Sequence, residues 1–191
     1  ERALSHEAHA MNAVTSIDTI TAGQAIVRIF QAEGVKAVFG LPGGHILSVY
    51  DALYDTPEIR HVLVRHEHAA AAMAAGYAQL TGRPGVCLTT AGPGATNLVT
   101  AVAEAYVGAM PMVIISARGA TNTTHRGAAQ EVSPERIFEP ITKWSVRVDR
   151  ADLIVDVVRQ AFTVAQSGKP GPVYIDIPRD LLPVQVPFTA Y

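Results

Sequence analysis

Short apolar blocks alternate along this chain with amphipathic stretches, and the succession reads as strand, helix, strand, helix with little interruption. Thr21 and Gln24 have the spacing of a capping box, which predicts a helix through Ala25, Ile26, Ile29 and Phe30 that Gly34 closes. Residues 37–39 then read as a strand, 46–53 as a second helix, 61–65 as a second strand and 67–80 as a third helix stopped near Gly82. A third strand is expected over 86–90. The spacing of Leu98, Val102 and Ala105 predicts one helix over 94–108, and the apolar run 112–117, bounded by Pro111 and Arg118, predicts a fourth strand. Residues 144–148 and 173–177 add two short strands. Between them an amphipathic helix over 152–166 is expected to turn Leu153, Val157, Ala161 and Val164 inward.

Apolar strands covered on both faces, each handed to the next by a helix, build a parallel sheet. The expected fold is therefore α/β, a doubly wound, mainly parallel six-stranded sheet flanked by helices. Residues 1–18 read as an N-terminal extension and 19–182 as the domain. Residues 183–191, extended and Pro-containing, read as the start of an interdomain linker. The polar segment 119–135 follows neither periodicity, and a loop of that length inside a compact domain is more often functional than accidental.

Composition narrows the possibilities. With 49% hydrophobic and 17% charged residues among 191, the chain suits one soluble globular domain that buries roughly 70% of its extended surface. A net charge of -2 gives no electrostatic footprint for nucleic acid or an anionic membrane surface, and no stretch approaches the roughly 20 apolar residues of a membrane span. Small molecules or proteins are the expected partners. Cys87 is the single cysteine and lies inside an apolar strand pattern, which suits an inert core thiol in a reducing compartment, the cytoplasm.

Glu67 interrupts this pattern: it follows the run from His61 to His66 and precedes an alanine-rich helix, where a buried strand hands over to a helix. In open α/β sheets, ligands bind outside the carboxyl ends of the strands, so a carboxylate there needs a partner or a task. Two glycine turns occupy equivalent places, Gly40-Leu41-Pro42-Gly43-Gly44 and Ala91-Gly92-Pro93-Gly94-Ala95-Thr96-Asn97. Glycine lets backbone approach a ligand closely, and the following helix N-terminus offers unpaired N–H groups. Either loop alone is as readily a tight strand-to-helix turn, and neither has the spacing of a dinucleotide fingerprint or a P-loop. His61, His66 and His68 lack the spacing that sets two imidazoles on one helical face, so no metal site is expected. A glutamate that merely favours a helix N-terminus is the plainer reading of Glu67.

The pieces become specific when taken in order. They are Leu41-Pro42-Gly43-Gly44, Arg65-His66-Glu67-His68-Ala69-Ala70, Ala75-Gly76-Tyr77-Ala78, Thr81-Gly82-Arg83-Pro84-Gly85-Val86 and the turn 91–97 with Leu98-Val99. Gln130-Glu131, Ile141-Thr142-Lys143-Trp144 and the segment from Gly168 to Pro178 complete the series. Together they resemble the pyrimidine-binding domain of thiamine-diphosphate enzymes, most of all the acetolactate synthase catalytic subunits, over Thr19 to Leu182.

That resemblance implies a thiamine-diphosphate-binding fold and a catalytic role for Glu67. The matching glutamate hydrogen-bonds N1′ of the aminopyrimidine, so that the 4′-nitrogen can remove the C2 proton of the thiazolium. The activated cofactor then decarboxylates pyruvate and condenses the product with a second 2-keto acid, a step in branched-chain amino acid biosynthesis. It also implies that Pro42, Gly43, Pro93 and Asn97 line the cofactor and that Gly44, His45 and Gln130 approach the substrate. Ala129 stands where acetolactate synthases usually carry Phe, and His45 where many have a small residue, a change that can alter substrate choice. A 2-keto acid decarboxylase, oxidase or acetyltransferase of the same cofactor class, or a non-catalytic binding module, are therefore the alternatives. No Gly-Asp-Gly segment occurs in the chain. The resemblance accordingly implies that Mg2+ and the diphosphate are held by a separate domain, FAD largely by another, and that this chain alone is inactive. Active sites shared between subunits imply a homodimer or homotetramer, to which a regulatory subunit can attach.

Overall fold

The computed structural model describes residues 18–189, which begin with β1 (Asp18–Thr21) running directly into α1 (Ala22–Ala32). Thr21 and Gln24 form the expected capping box, each side chain bonding the other's backbone N–H. There follow β2 (Ala37–Gly40), α2 (Leu47–Tyr54), β3 (Arg60–Leu63), α3 (Glu67–Thr81) and β4 (Gly85–Thr89). The chain continues through α4 (Pro93–Thr96), α5 (Val99–Val107), β5 (Met112–Arg118), α6 (Pro134–Phe138), β6 (Trp144–Arg147), α7 (Ile154–Gln166), β7 (Pro172–Pro178) and β8 (Gln185–Phe188).

Six strands form one parallel sheet in the order β3-β2-β4-β5-β7-β6. The fold class expected from the alternating pattern is the one observed. From β2 the chain moves outward to β3, then returns to the other side of β2 to lay down β4, so the winding direction reverses between β2 and β4. In open α/β sheets a ligand binds at such a reversal, in the crevice outside the carboxyl ends of the strands.

Each sheet face has its own core. Helices α1 and α7 cover one, with Ile26, Ile29, Phe30, Val158 and Phe162 packed on Val113, Ile115 and Ile175. The Phe30 and Phe162 rings meet edge to face at 6.1 Å. Burial of each such side chain stabilises the fold by roughly 1.5–3 kcal/mol. On the other face, α3 and α5 present alanines (Ala70, Ala71, Ala74, Ala101, Ala105) to Cys87, Ile114 and Tyr174. Small side chains let α3 lie almost on the sheet: a Cβ added at Gly85 would stand 2.0 Å from the Ala74 carbonyl oxygen. The contact fixes the height of α3 over β4, and with it the place where its first residue, Glu67, emerges.

Several expectations need correction. The helix expected over 94–108 is two helices, α4 and α5, joined through Asn97 and Leu98. The inward face of α7 is Ile154, Val155, Val158, Ala161, Phe162 and Ala165; Leu153 precedes the α-helix in a 3-10 turn and is exposed. The expected helix begins two residues early; Ala161 faces inward as expected, while Val157 and Val164 lie partly buried at the edge of that face. Strand β3 ends at Leu63, and as the edge of the sheet it is covered only in part. The stretch read as the start of a linker contains β8, which pairs antiparallel with β1 and buries Val186 and Phe188. Arg159 of α7 lies over the Phe188 ring at 5.4 Å. The expected N-terminal extension lies, apart from Asp18, outside the described residues.

Candidate functional site

Loops after β2, β3 and β4 meet over the crevice, and the first two of the glycine positions show how closely. A Cβ at Gly43 would stand 2.5 Å from Thr90 Cβ, so the loops leaving β2 and β4 can touch only because residue 43 has no side chain. Gly92, at φ 59°, turns the chain from β4 into α4, and a Cβ there would stand 2.6 Å from the Gln130 carbonyl oxygen.

Glu67 is the first residue of α3. Its neighbour His66 caps the helix in extended backbone and accepts the His68 N–H on Nδ1 at 3.2 Å. The alanines that follow have the highest helix propensity, so the helix starts firmly at this point. Only 7% of Glu67 remains exposed. Asn97, at the C-terminal end of α4, donates from Nδ2 to Glu67 Oε2 at 2.8 Å. Among the described residues no cation forms an ion pair with Glu67. An amide N–H and the positive end of α3 are what offset the buried charge.

Glu67 Oε1 is different: no donor reaches it among the described residues, and it faces Gly94, where a Cβ would stand 3.5 Å away. The same Cβ would be 2.8 Å from Thr89 Oγ1 and from Thr90 Cγ2. The Thr89 hydroxyl is itself buried without a partner. One carboxylate oxygen held, one left open, an unpaired hydroxyl and a glycine, Gly94, beside them suit a polar heterocycle that can share a proton. Beneath the site Cys87 is wholly buried, and burial first, then the Glu67 charge, push its thiol far above the usual range. That thiol stays protonated and inert, as the sequence pattern suggested.

The remaining sequence-derived positions differ in burial. Pro42, Gly44, Pro93 and Gln130 are exposed, with Gly43 partly covered between the loops leaving β2 and β4. His45 is partly buried, and burial followed by the charge of Arg179 hold its imidazole below the usual range. It is therefore neutral near pH 7, able to donate one hydrogen bond and accept another. Glu67 and Asn97 are in direct contact. Gln130, in the segment 119–135, packs its backbone and Cβ against Gly92.

Thr89, Thr90 and Gly94 were not singled out as individual positions by sequence, since nothing distinguishes a strand-end threonine from any other. A second polar cluster was also missed, on the same sheet face: Ser116 bonds the Tyr174 hydroxyl and donates to Asp176 Oδ1 at 3.1 Å, while Arg118 Nη1 donates to Asp176 Oδ2 at 3.4 Å. Asp176 is fully buried, and burial raises its carboxyl to about 7 against the opposing pull of Arg118. Its sequence signal was the one that exposed Glu67, a polar residue inside an apolar run. Arg118 also floors a narrow crevice with Gly92, Thr123, Thr124, Gln130 and Glu131. Among the described residues no group of three or more His, Cys, Asp or Glu is arranged to hold a metal ion. No described helix is long and apolar enough to cross a membrane.

Residues 20–137 match the family described as thiamine pyrophosphate enzyme, N-terminal TPP binding domain. The chain is 45% identical over 174 residues to an acetolactate synthase of Mycobacterium bovis, covering 91% of this chain and 28% of the relative. It is 43% identical over 168 residues to a probable acetolactate synthase large subunit of Methanocaldococcus jannaschii, covering 88% and 28%. Against the acetolactate synthase isozyme 3 large subunit of Escherichia coli the identity is 45% over 166 residues, covering 87% and 29%. The chain thus spans under a third of the length of these relatives.

Proposed function

The chain belongs to the thiamine pyrophosphate enzymes, of which it carries the N-terminal TPP binding domain, and from that premise we propose that it is the pyrimidine-binding part of an acetolactate synthase-like carboligase. The protein would decarboxylate pyruvate and join the product to a second 2-keto acid. The observation that carries this reading is Glu67, a buried carboxylate with Oε2 fixed by Asn97 and Oε1 open toward Gly94.

Thiamine diphosphate, when bound, supplies the electron sink that such a decarboxylation requires. This chain supplies the proton relay. Glu67 Oε1 shares a proton with the pyrimidine ring nitrogen, and the Asn97 amide keeps the carboxylate from rotating away. Burial strengthens that bond by excluding water, which would otherwise compete for the same oxygen. Pro42, Gly43, Pro93 and Asn97 form the wall around the pyrimidine, with room that side chains at 43 and 94 would remove. Gly44, His45 and Gln130 face the 2-keto acid from the rim.

The rest of the active site belongs to segments beyond this domain, in keeping with the share of the relatives that it spans. Mg2+ and the diphosphate would be held by one such segment and FAD by another, with the site completed by a second subunit in a homodimer or homotetramer, open to a regulatory subunit. A branched-chain amino acid pathway in the cytoplasm is the setting that fits this chemistry and the buried, unpaired Cys87.

Full-length protein incubated with pyruvate, thiamine diphosphate and Mg2+ tests the reading. Acetolactate is the expected product. Acetaldehyde or acetyl phosphate in its place would reassign the chain to another reaction of the same cofactor class.

A further inference from the structure

Between β5 and α6 the chain makes a loop whose only regular element is the 3-10 turn Thr121–Thr123. Three of its residues sit in the left-handed region: His125 at φ 63°, Gly127 at 67° and Gln130 at 65°. Two of the three carry side chains, for which that backbone is strained. Such a conformation persists only where neighbouring groups hold it.

Two anchors hold this loop. At its start, Asp180 accepts the Thr121 N–H at 2.9 Å and the Thr121 hydroxyl at 2.5 Å. At its end, the Glu131 carboxylate accepts the His125 N–H on Oε1 and the Ala128 N–H on Oε2, the latter at 3.0 Å. The Gly127 N–H adds to these, and the donors together hold the carboxyl below its usual range. The Glu131 N–H in turn donates to the Ala128 carbonyl at 3.0 Å. The chain from 125 to 131 is therefore wound around its own last side chain.

Gln130 is the residue just before that anchor. A Cβ at Gly92 would stand 2.6 Å from the Gln130 carbonyl oxygen and 2.8 Å from its Cβ, so its backbone rests on the turn that opens α4. The other end of α4 is Asn97, bonded to Glu67. We infer that Glu131 is a positioning residue: its carboxylate gathers the N–H groups of His125 and Ala128 and thereby seats Gln130 against Gly92 at the edge of the Glu67 site. The inference rests on the proposed reading for one thing only, that Gln130 faces the substrate.

Hydrogen exchange and steady-state kinetics on the full-length protein separate the two claims. Glu131→Ala removes both acceptors, so the amides of His125, Gly127 and Ala128 should exchange about tenfold faster or more. Glu131→Gln keeps one carbonyl oxygen and should fall between Ala and wild type. The melting temperature should hardly move, because the loop lies on the edge of the fold. With the 2-keto acid substrate, Glu131→Ala should lower kcat/KM, and the same change made in a Gln130→Ala background should cost nothing further. Unchanged exchange in both variants would overturn the inference, as would a full Glu131→Ala penalty that persists without the Gln130 side chain. Faster exchange with kinetics untouched by either substitution would uphold the loop role and overturn only the reading of Gln130 as a substrate contact.

Discussion

Glu67 and Asp176 are the two carboxylates buried among the described residues, and they end up in opposite states. Asp176 spends both oxygens on its own protein, one on Ser116 and one on Arg118. Glu67 spends one, on Asn97, and leaves the other facing Gly94, which has no side chain. A carboxylate whose two oxygens are both bonded within the protein describes a structural joint, whereas one that keeps an accessible oxygen without a protein donor describes a place for a ligand. Burial alone does not separate them. The count of unfilled acceptors does.

Replacing the half-used carboxylate should have the largest effect. Glu67→Gln keeps the size of the side chain and loses the ability to exchange a proton, so turnover by the full-length protein should fall by about 10²–10⁴-fold. Melting temperature should change little, and a large drop would mean that Glu67 is a structural group like Asp176.

For Asp176 the expected signature is stability that depends on pH. Its carboxyl titrates near 7 when folded, against an ordinary value of 3.8. The folded state then binds more protons than the unfolded one between these values. The stability that Asp176 contributes is complete below about pH 4 and is lost as pH rises through 7. Asp176→Asn cannot titrate, so from pH 5 to pH 8 its stability should improve relative to wild type, by a few kcal/mol at most. Thermal melts of both proteins at the two pH values measure the gap, and a gap independent of pH would remove the contrast between the carboxylates.

Asn97 and Gly44 sharpen the comparison with smaller effects. Asn97→Ala frees the second oxygen of Glu67 and removes a hydrogen bond to a charged group, about 1.5–3 kcal/mol. The loss should be seen as weaker cofactor binding by titration calorimetry. Gly44→Ala should leave the melting temperature within about 0.5 kcal/mol equivalent of wild type, since nothing lies within 4 Å of the added Cβ. It should instead raise KM for the 2-keto acid if residue 44 borders the substrate. Unchanged KM would remove Gly44 from the rim.

Much of this contrast was legible in the sequence, for uneven reasons. The parallel sheet could be read because buried strands are continuous apolar runs and their crossovers are amphipathic helices. Glu67 stood out against such a run, and motif order, not periodicity, pointed to its partner Asn97. What could not be read depends on contacts between distant segments. Gly92 against Gln130 and Gly43 against Thr90 are close approaches that no local pattern encodes. The pairing of β8 with β1 joins the two ends of the described chain, so an isolated Pro-containing stretch looked like a linker. Asp176 carried the same local signal as Glu67 and was passed over, because its partners Ser116 and Arg118 come from another strand.

The claim at the centre is that the open oxygen of Glu67 activates a cofactor, and the rate of hydrogen–deuterium exchange at C2 of thiamine diphosphate measures that most directly. It requires only the full-length protein, the cofactor and Mg2+, with no substrate. Exchange in Glu67→Gln should be slower than in wild type by at least about 100-fold. Equal rates in the two proteins, with cofactor bound to both, would contradict the account.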